Sequence, residues 1–509
     1  MLLTKNSAAL GLLLDNHVLD HGRTQVLFGS DFPLDKTDLQ VCLNIQKVKY
    51  CMQSGTTLVL VHCEALYESM YDLLNQHYTS VGAQLWVRLA FGTHSRLCPI
   101  DPSFRVIVVV EKQDAYTKLA PPLLNRFEKQ VLERPDMMQH AHLQLAERLK
   151  AFVQAFAGKA SVSRCKIAFC GFHSDLIAAL SLSIVNEVEA GSGWYGPHAR
   201  GQPMRWERVY QEAVARLLWV ATPEVACTLL QDPAKQRKLL EENGVDVSEV
   251  YFKTQSHSNL PTFVERMREV RREGKPRLTQ LMTYSPLFLG AATILQTQGT
   301  WESISLCVLH DLSSERDLQD HVDRFFETAE HGSLLLVQCD PRAASLRRVE
   351  HARYICEKAL ATFQRVKGEA FFAPELAAGP EAECDASEPQ AEDSPPALDK
   401  EVLEKGTQEK GGKKPGKETE EPAAVAKKKS IDVIILMHLP RGQDMDYSFD
   451  FDNRWTYGFV DSVLPASAKG LLNVEEMVAS SMQQMVERVD LAKVRYDLQP
   501  VPLTMRASL

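Results

Sequence analysis

The stretch Phe104–Lys129, FRVIVVVEKQDAYTKLAPPLLNRFEK, decides the fold. Phe104 to Val110 is a near-continuous apolar run rich in β-branched residues, which suits a strand covered on both faces in a parallel sheet rather than a half-exposed one. Pro121 and Pro122 then break the connection, because neither has an N–H to donate. After them Leu123, Leu124 and Phe127 read as a short helix, with the Asn125-Arg126 pair at its edge. An arginine placed there can face a neighbour, which makes it a candidate phosphate sensor.

Upstream, the chain opens directly in strand-like residues at Leu2 and Leu3, and TKNSAALGLLL continues as a helix from about Ser7. A chain that opens inside a strand is expected to have sequence before it. Gln25 to Ser30 is the next strand. A helix follows from Lys36, with Val41, Ile45, Val48 and Met52 at helical spacing and Gly55 as its stop. Thr56 to Val61 is a third strand. Leu66, Met70 and Leu73 then share a helical face, and the loop FGTHSR leads into the Phe104 strand. Four strands alternating with helices predict a mostly parallel, doubly wound sheet with right-handed crossovers, the arrangement common among nucleoside-triphosphatases.

Downstream, from about Leu132 to Leu230, strand signals give way to helical faces: Leu145, Leu149, Phe152 and Phe156; then Leu176, Leu180, Ile184 and Val188; then Trp206, Val209, Ala213 and Leu217. Thr222-Pro223 fits a threonine cap with proline at the first helical position. At Arg277 the alternation returns, with strands expected at Leu278–Tyr284, Ser303–Leu309, Ser333–Cys339 and Ile431–Leu439. The fold class is therefore α/β, with two doubly wound, mostly parallel modules separated by a helical lid. The expected boundaries are 1–131 for the first module, 132–270 for the lid and spacer, and 271–372 with 431–490 for the second module. Residues 373–430, with hardly any large apolar side chain, cannot offset their ordering entropy and read as a disordered charged insert. Residues 491–509 remain unassigned.

Composition bounds the function classes. The chain has 509 residues, 45% hydrophobic and 24% charged, enough for two or three cores. A net charge of −9 gives no general attraction to nucleic acid. No apolar run reaches the roughly 18 residues needed to span a bilayer. The eleven cysteines are scattered without a C-x-x-C, so no disulfide framework or zinc site is indicated. Cys42, Cys51, Cys307 and Cys356 are expected to fill cores.

Triphosphate chemistry asks for a glycine-rich loop after a first strand, whose N–H groups cradle phosphates. Neither module has one: the first has Thr4-Lys5-Asn6-Ser7 and the second Thr283-Tyr284-Ser285-Pro286. Gly411 to Lys417 is a near match that ends in Glu418 and lies in the insert. At the end of the third strand His62-Cys63-Glu64 offers Glu64 as a remnant of the acid that holds magnesium, or simply as a carboxylate on a helix dipole. Asp340 before Pro341 has the same two readings. His173-Ser174-Asp175 contains triad residue types, but sequence neighbours cannot adopt triad geometry, and a helix cap is the better account.

The wording LLTKNSAALGLLL, VLFGSDFPLDKTDLQVCLNIQKVKYCM, LYESMYDLLNQHY, FGTHSRLCPIDPSFRVIVV and PPLLNRFEK resembles the mysterin family, giant RING-finger ubiquitin-protein ligases with a dynein-like AAA+ core. The match is specific over residues 1–180 and looser beyond. The resemblance implies a fragment covering the last, degenerate AAA+ modules, which accounts for the missing phosphate loops. It implies no cofactor in this chain, with ATP and magnesium in preceding modules and zinc in ligase elements that are absent here. Neighbouring AAA+ modules would be the partners, a ubiquitin-conjugating enzyme would be met only through absent regions, and the location would be cytoplasmic with lipid-droplet association. Arg126 would be an arginine finger serving the preceding module. The residue pattern alone equally allows Asn125 to cap the helix while Arg126 pairs with a carboxylate such as Glu128. The alternative for the whole chain is a free-standing doubly wound enzyme or interaction protein with an unrecognised ligand.

Overall fold

The computed structural model describes residues 1–20, 22–91, 94–158, 161–189, 206–230, 232–255, 257, 260–270, 277–284, 290–299, 301–340, 345–367, 431–439 and 447–460. The acidic insert at 373–430, the near-match loop at 411–417 and the tail at 491–509 lie outside them.

Thirteen strands are described: β1 (Leu2–Thr4), β2 (Thr24–Phe28), β3 (Thr57–Val61), β4 (Thr79–Val81), β5 (Gln84–Phe91), β6 (His94–Ile100), β7 (Arg105–Glu111), β8 (Gln130–Val131), β9 (Arg277–Thr283), β10 (Ser303–Val308), β11 (Ser333–Cys339), β12 (Asp432–His438) and β13 (Trp455–Phe459). The first parallel sheet has the order β2-β3-β7-β1-β8 and the second β10-β11-β12-β9-β13. Numbering the parallel strands of each sheet along the chain, both read 2-3-4-1-5. The α/β class and the repeat of one architecture, expected from alternation alone, are thus realised down to strand order.

Two-sided burial explains why these strands read as apolar runs. Leu335, Val337, Val433, Ile435 and Met437 face one core, while Leu334, Leu336, Ile434 and Leu436 face another. In the first sheet Leu58 and Leu60 pack on one side and Val59 and Val61 on the other. Side chains alternate with period 2, so a strand covered on both faces has no polar positions to reveal the alternation. The helix expected from Lys36 runs from Asp38 to Ser54, with the Thr37 side chain accepting from Gln40 N and Gly55 stopping it at φ 69°.

Three expectations need correction. Where a helix was expected to lead through the loop FGTHSR to the Phe104 strand, β4, β5 and β6 form an antiparallel sheet, with Phe91 ending β5 and His94 opening β6. The alternation of Leu85, Val87 and Leu89 was the available signal, with Val87 and Leu89 fully buried. Second, each sheet has a fifth strand, β8 and β13, that its short or aromatic sequence does not announce. Third, Cys42 is half-buried, whereas Cys51, Cys307 and Cys356 are in the core.

The helical segment includes His140–Ala157, Val162–Ala168, Leu176–Glu189 and Trp206–Trp219. Leu145, Leu149, Phe152 and Phe156 pack as their spacing predicts, in one core continuous with the face of the second sheet formed by Leu278, Met282, Val433 and Ile435. The two modules also touch. The Phe28 ring stacks on His351 at 4.9 Å, Leu34 N donates to Ser313 O, and Arg348 donates to Asp31 O. Among the described residues no helix is long and apolar enough to cross a membrane.

Candidate functional site at the boundary of the two sheets

Open parallel sheets bind ligands outside the carboxyl ends of their strands, where successive connections leave in opposite directions. In the first sheet that place is β1, flanked by β7 and β8. A cavity of about 610 Å³ lies there, lined by Asn6 and Ser7 after β1, His62 after β3 and Glu111 at the end of β7, with Arg353, Asp452 and Arg454 from the second module opposite.

Asn6 and Ser7 lie in the left-handed region at φ 54° and 52°. Two successive residues in that conformation turn their N–H groups to one side, ahead of the helix Ala8–Asp15. The register pairs Thr4 with Glu111. The Glu111 carboxylate therefore reaches the turn, accepting Ser7 N at 2.5 Å and Asn6 N at 3.2 Å. Burial raises its pKa and outweighs the two backbone hydrogen bonds, and nearby Glu350 adds to the rise. Thr4 Oγ1 accepts from Ala9 N, so the helix start is satisfied within the chain.

The lid closes over this turn. Lys5 Nζ donates to Ser174 Oγ at 2.7 Å and pairs with Asp175 at 2.9 Å. Asn6 Nδ2 donates to Asp175 Oδ2 and lies 3.0 Å from His173 Nδ1. With Nδ1 accepting from Asn6 and from Asp175 N, His173 Nε2 is left to donate to Phe449 O at 2.9 Å. Asp450 Oδ1 is 3.0 Å from the same nitrogen but has no hydrogen bond, because that N–H is already committed. His173-Ser174-Asp175 is thus neither a triad nor a simple cap: its side chains fasten the lid to the first sheet.

The second module supplies an ionic wall. Arg454 binds Glu357 at 2.6 Å and lies 3.4 Å from Asp15 of the first module. Arg353 donates to Asp452 at 2.7 Å and to Tyr457 OH at 2.8 Å. Burial alone would raise the Asp452 pKa, but Arg454, Arg353 and two backbone N–H groups outweigh it and hold it below the usual carboxylate range. Burial dominates at Asp15 and pushes its pKa up to about 6 despite Arg454. Across the cavity His62 Nε2 lies 3.4 Å from Glu350. Arg134, nine-tenths buried, pairs with Asp450 at 2.6 Å, while its Nη1 has no hydrogen-bond partner among the described residues.

The two residues singled out in the sequence are not brought together here. Glu64 opens a one-turn helix, Glu64–Leu66, and is exposed; its neighbour His62 takes the place on the cavity wall. Arg126 follows the helix Pro121–Leu124 and stacks over the Tyr71 ring at 3.7 Å. Of the structural alternative, one half occurs and the other does not: Asn125 caps the C-terminal end of that helix, while among the described residues no carboxylate pairs with Arg126. Sequence reasoning missed Glu111, and it did not extend the reading of Asn125-Arg126 to the similar pair Asn453-Arg454, which follows an acidic aromatic loop without the leucine pair. Arg454 stands just before the fifth strand of its sheet as Arg126 stands before β8, so position in the alternation, rather than the leucine pair, was the usable signal. Among the described residues no group of three or more side chains is placed to hold a metal ion.

Comparison with known proteins places this geometry. Residues 1–138 match the family described as the RNF213 AAA domain. Human E3 ubiquitin-protein ligase RNF213 is 32% identical over 295 residues, 56% of this chain and 5% of that protein. The mouse protein of the same name is 32% identical over 298 residues, 57% of this chain and 6% of its own length. Zebrafish rnf213-beta is 33% identical over 199 residues, 37% of this chain and 4% of that ligase. The chain therefore spans a small part of the curated relatives it matches. Its first 138 residues match the model of the RNF213 AAA domain family, and over more than half its length the chain is similar to a fragment of the mysterin ligases.

Proposed function

We propose that this chain is a non-catalytic part of the dynein-like AAA+ core of a mysterin-type ubiquitin-protein ligase, where it completes the ring and carries nucleotide state toward the ligase elements. The observation that supports this reading best is Glu111, which fills the turn after β1 with a carboxylate where a nucleotide-binding module needs free N–H donors. Two modules of one strand order support a repeating ring segment rather than a free-standing enzyme. ATP and magnesium would act in preceding modules, zinc in the ligase elements, and a ubiquitin-conjugating enzyme would meet those elements rather than this chain. Glu64 would be the remnant of the magnesium-holding acid. A cytoplasmic location with lipid-droplet association follows only from the family.

Arg126 is assigned the role of an arginine finger for the preceding module. Its guanidinium has only an aromatic partner among the described residues, which leaves its donors available to the charge of a phosphoryl group. Isothermal titration of the chain with ATP and magnesium should show no site, and a micromolar site abolished by Lys5→Ala would refute the degenerate reading. In the full-length ligase, Arg126→Ala should lower ATPase activity, and unchanged activity there would remove the finger assignment.

A further inference from the structure

The boundary cavity has the parts of an anion site, yet its cradle is already occupied. Asn6 N and Ser7 N both donate to Glu111 from consecutive left-handed residues ahead of an eight-residue helix. Such convergent N–H groups at a helix start favour negative charge. A second observation points the same way. Arg134 lines the same cavity with its side chain 9% exposed and its Nη1 without a hydrogen-bond partner, a donor that the described residues leave unmatched.

We propose that Glu111 is a built-in anion: its carboxylate holds the cradle that a phosphate would otherwise take and keeps the boundary of the two modules closed to phosphate-bearing ligands. Glu350 reinforces the closure, since its Oε2 is 3.3 Å from Ser7 Oγ and 3.4 Å from His62 Nε2 and would repel an incoming anion. The other side is already tied by charge, with Arg454 held between Glu357 and Asp15. The joint therefore needs no ligand to close it. The inference rests on reading residues 1–131 as a degenerate AAA+ module.

Inorganic pyrophosphate, small enough for the cavity and free of any need for base recognition, is the probe. Titrated calorimetrically into the unaltered chain, it should give no saturable binding below about 1 mM, whereas Glu111→Ala should bind about tenfold tighter or more. Glu111→Gln keeps the side-chain shape and removes the charge, so it should fall between the two and serves if the alanine variant does not fold. Thermal unfolding establishes which variants are folded. Folded variants that bind no tighter than the unaltered chain overturn the role of Glu111 while leaving the degenerate-module reading standing. Saturable pyrophosphate binding by the unaltered chain overturns the proposal directly, whatever the variants do. Magnesium-ATP binding by the unaltered chain overturns the degenerate-module reading itself.

Discussion

Arg126 and Arg454 hold the same place in two sheets of the same order, each just before the fifth strand, and they have opposite fates. Arg454 is engaged inside the chain: it meets Glu357 and Asp452 of its own module and Asp15 of the other. Arg126 lies over Tyr71, whose ring is half-exposed, and pairs with no carboxylate among the described residues. The difference teaches that a position in a repeated topology fixes where an arginine stands, while the neighbouring module fixes what it does. At Arg454 the neighbour is present and has become acidic, so the arginine is part of a joint.

Removing Arg454 should have the largest effect. Arg454→Ala leaves the buried Glu357 carboxylate with Trp455 Nε1 as its one hydrogen-bond donor among the described residues and strips Asp452 of one cation, so urea unfolding should register a loss of roughly 3–5 kcal/mol. A loss no greater than that for Arg126→Ala would break the contrast between the two arginines.

Acidification should open the same boundary from a different side. His351 is buried against Phe28, with its Nε2 3.8 Å from Glu315, too far for a hydrogen bond. Burial, aided by Lys47, lowers its pKa from 6.5 to about 4. The unfolded chain takes up a proton below pH 6.5 that the folded chain resists until about pH 4, so stability is full above 6.5 and is lost as pH falls through that window. The loss from this group is on the order of 3 kcal/mol at most. His351→Phe keeps the stack on Phe28 and should flatten the unfolding free energy between those pH values; an unchanged slope would place the sensitivity elsewhere.

Smaller effects sharpen the picture. Lys5→Ala removes the partially exposed pair with Asp175 and should cost at most about 1 kcal/mol, while leaving nucleotide affinity where it was. Arg126→Ala should be the mildest, about 0.5 kcal/mol for an exposed cation–π contact, with the melting temperature of the isolated chain nearly unchanged. A larger drop would mean that Arg126 supports the fold here and is not held in reserve for a neighbour.

Much of the architecture was legible in residue order. The β-branched runs at Thr57–Val61 and Arg105–Glu111 and the 3.6-period faces at Asp38–Ser54 and His140–Ala157 identified their elements because those signals arise between near neighbours in the chain. The mysterin resemblance was legible too. The hairpin strands β5 and β6 were readable only to a count of alternation that competed with a helical spacing at Leu66, Met70 and Leu73. Those three are buried as expected, but on a one-turn helix, a turn and the short helix Tyr71–Leu74 rather than on one helix.

What the sequence by itself determined was therefore the class of each segment and the two-module plan. The tertiary structure alone decided what meets the turn after the first strand. Glu111 and Ser7 are 104 positions apart, and they meet because the parallel register sets Glu111 beside Thr4. Arg454 reaches Asp15 only because the second module docks against the first. Periodicity reports which face of an element is apolar, but it carries no term for register between strands or for the docking of one module on another, and those two set the chemistry of the boundary.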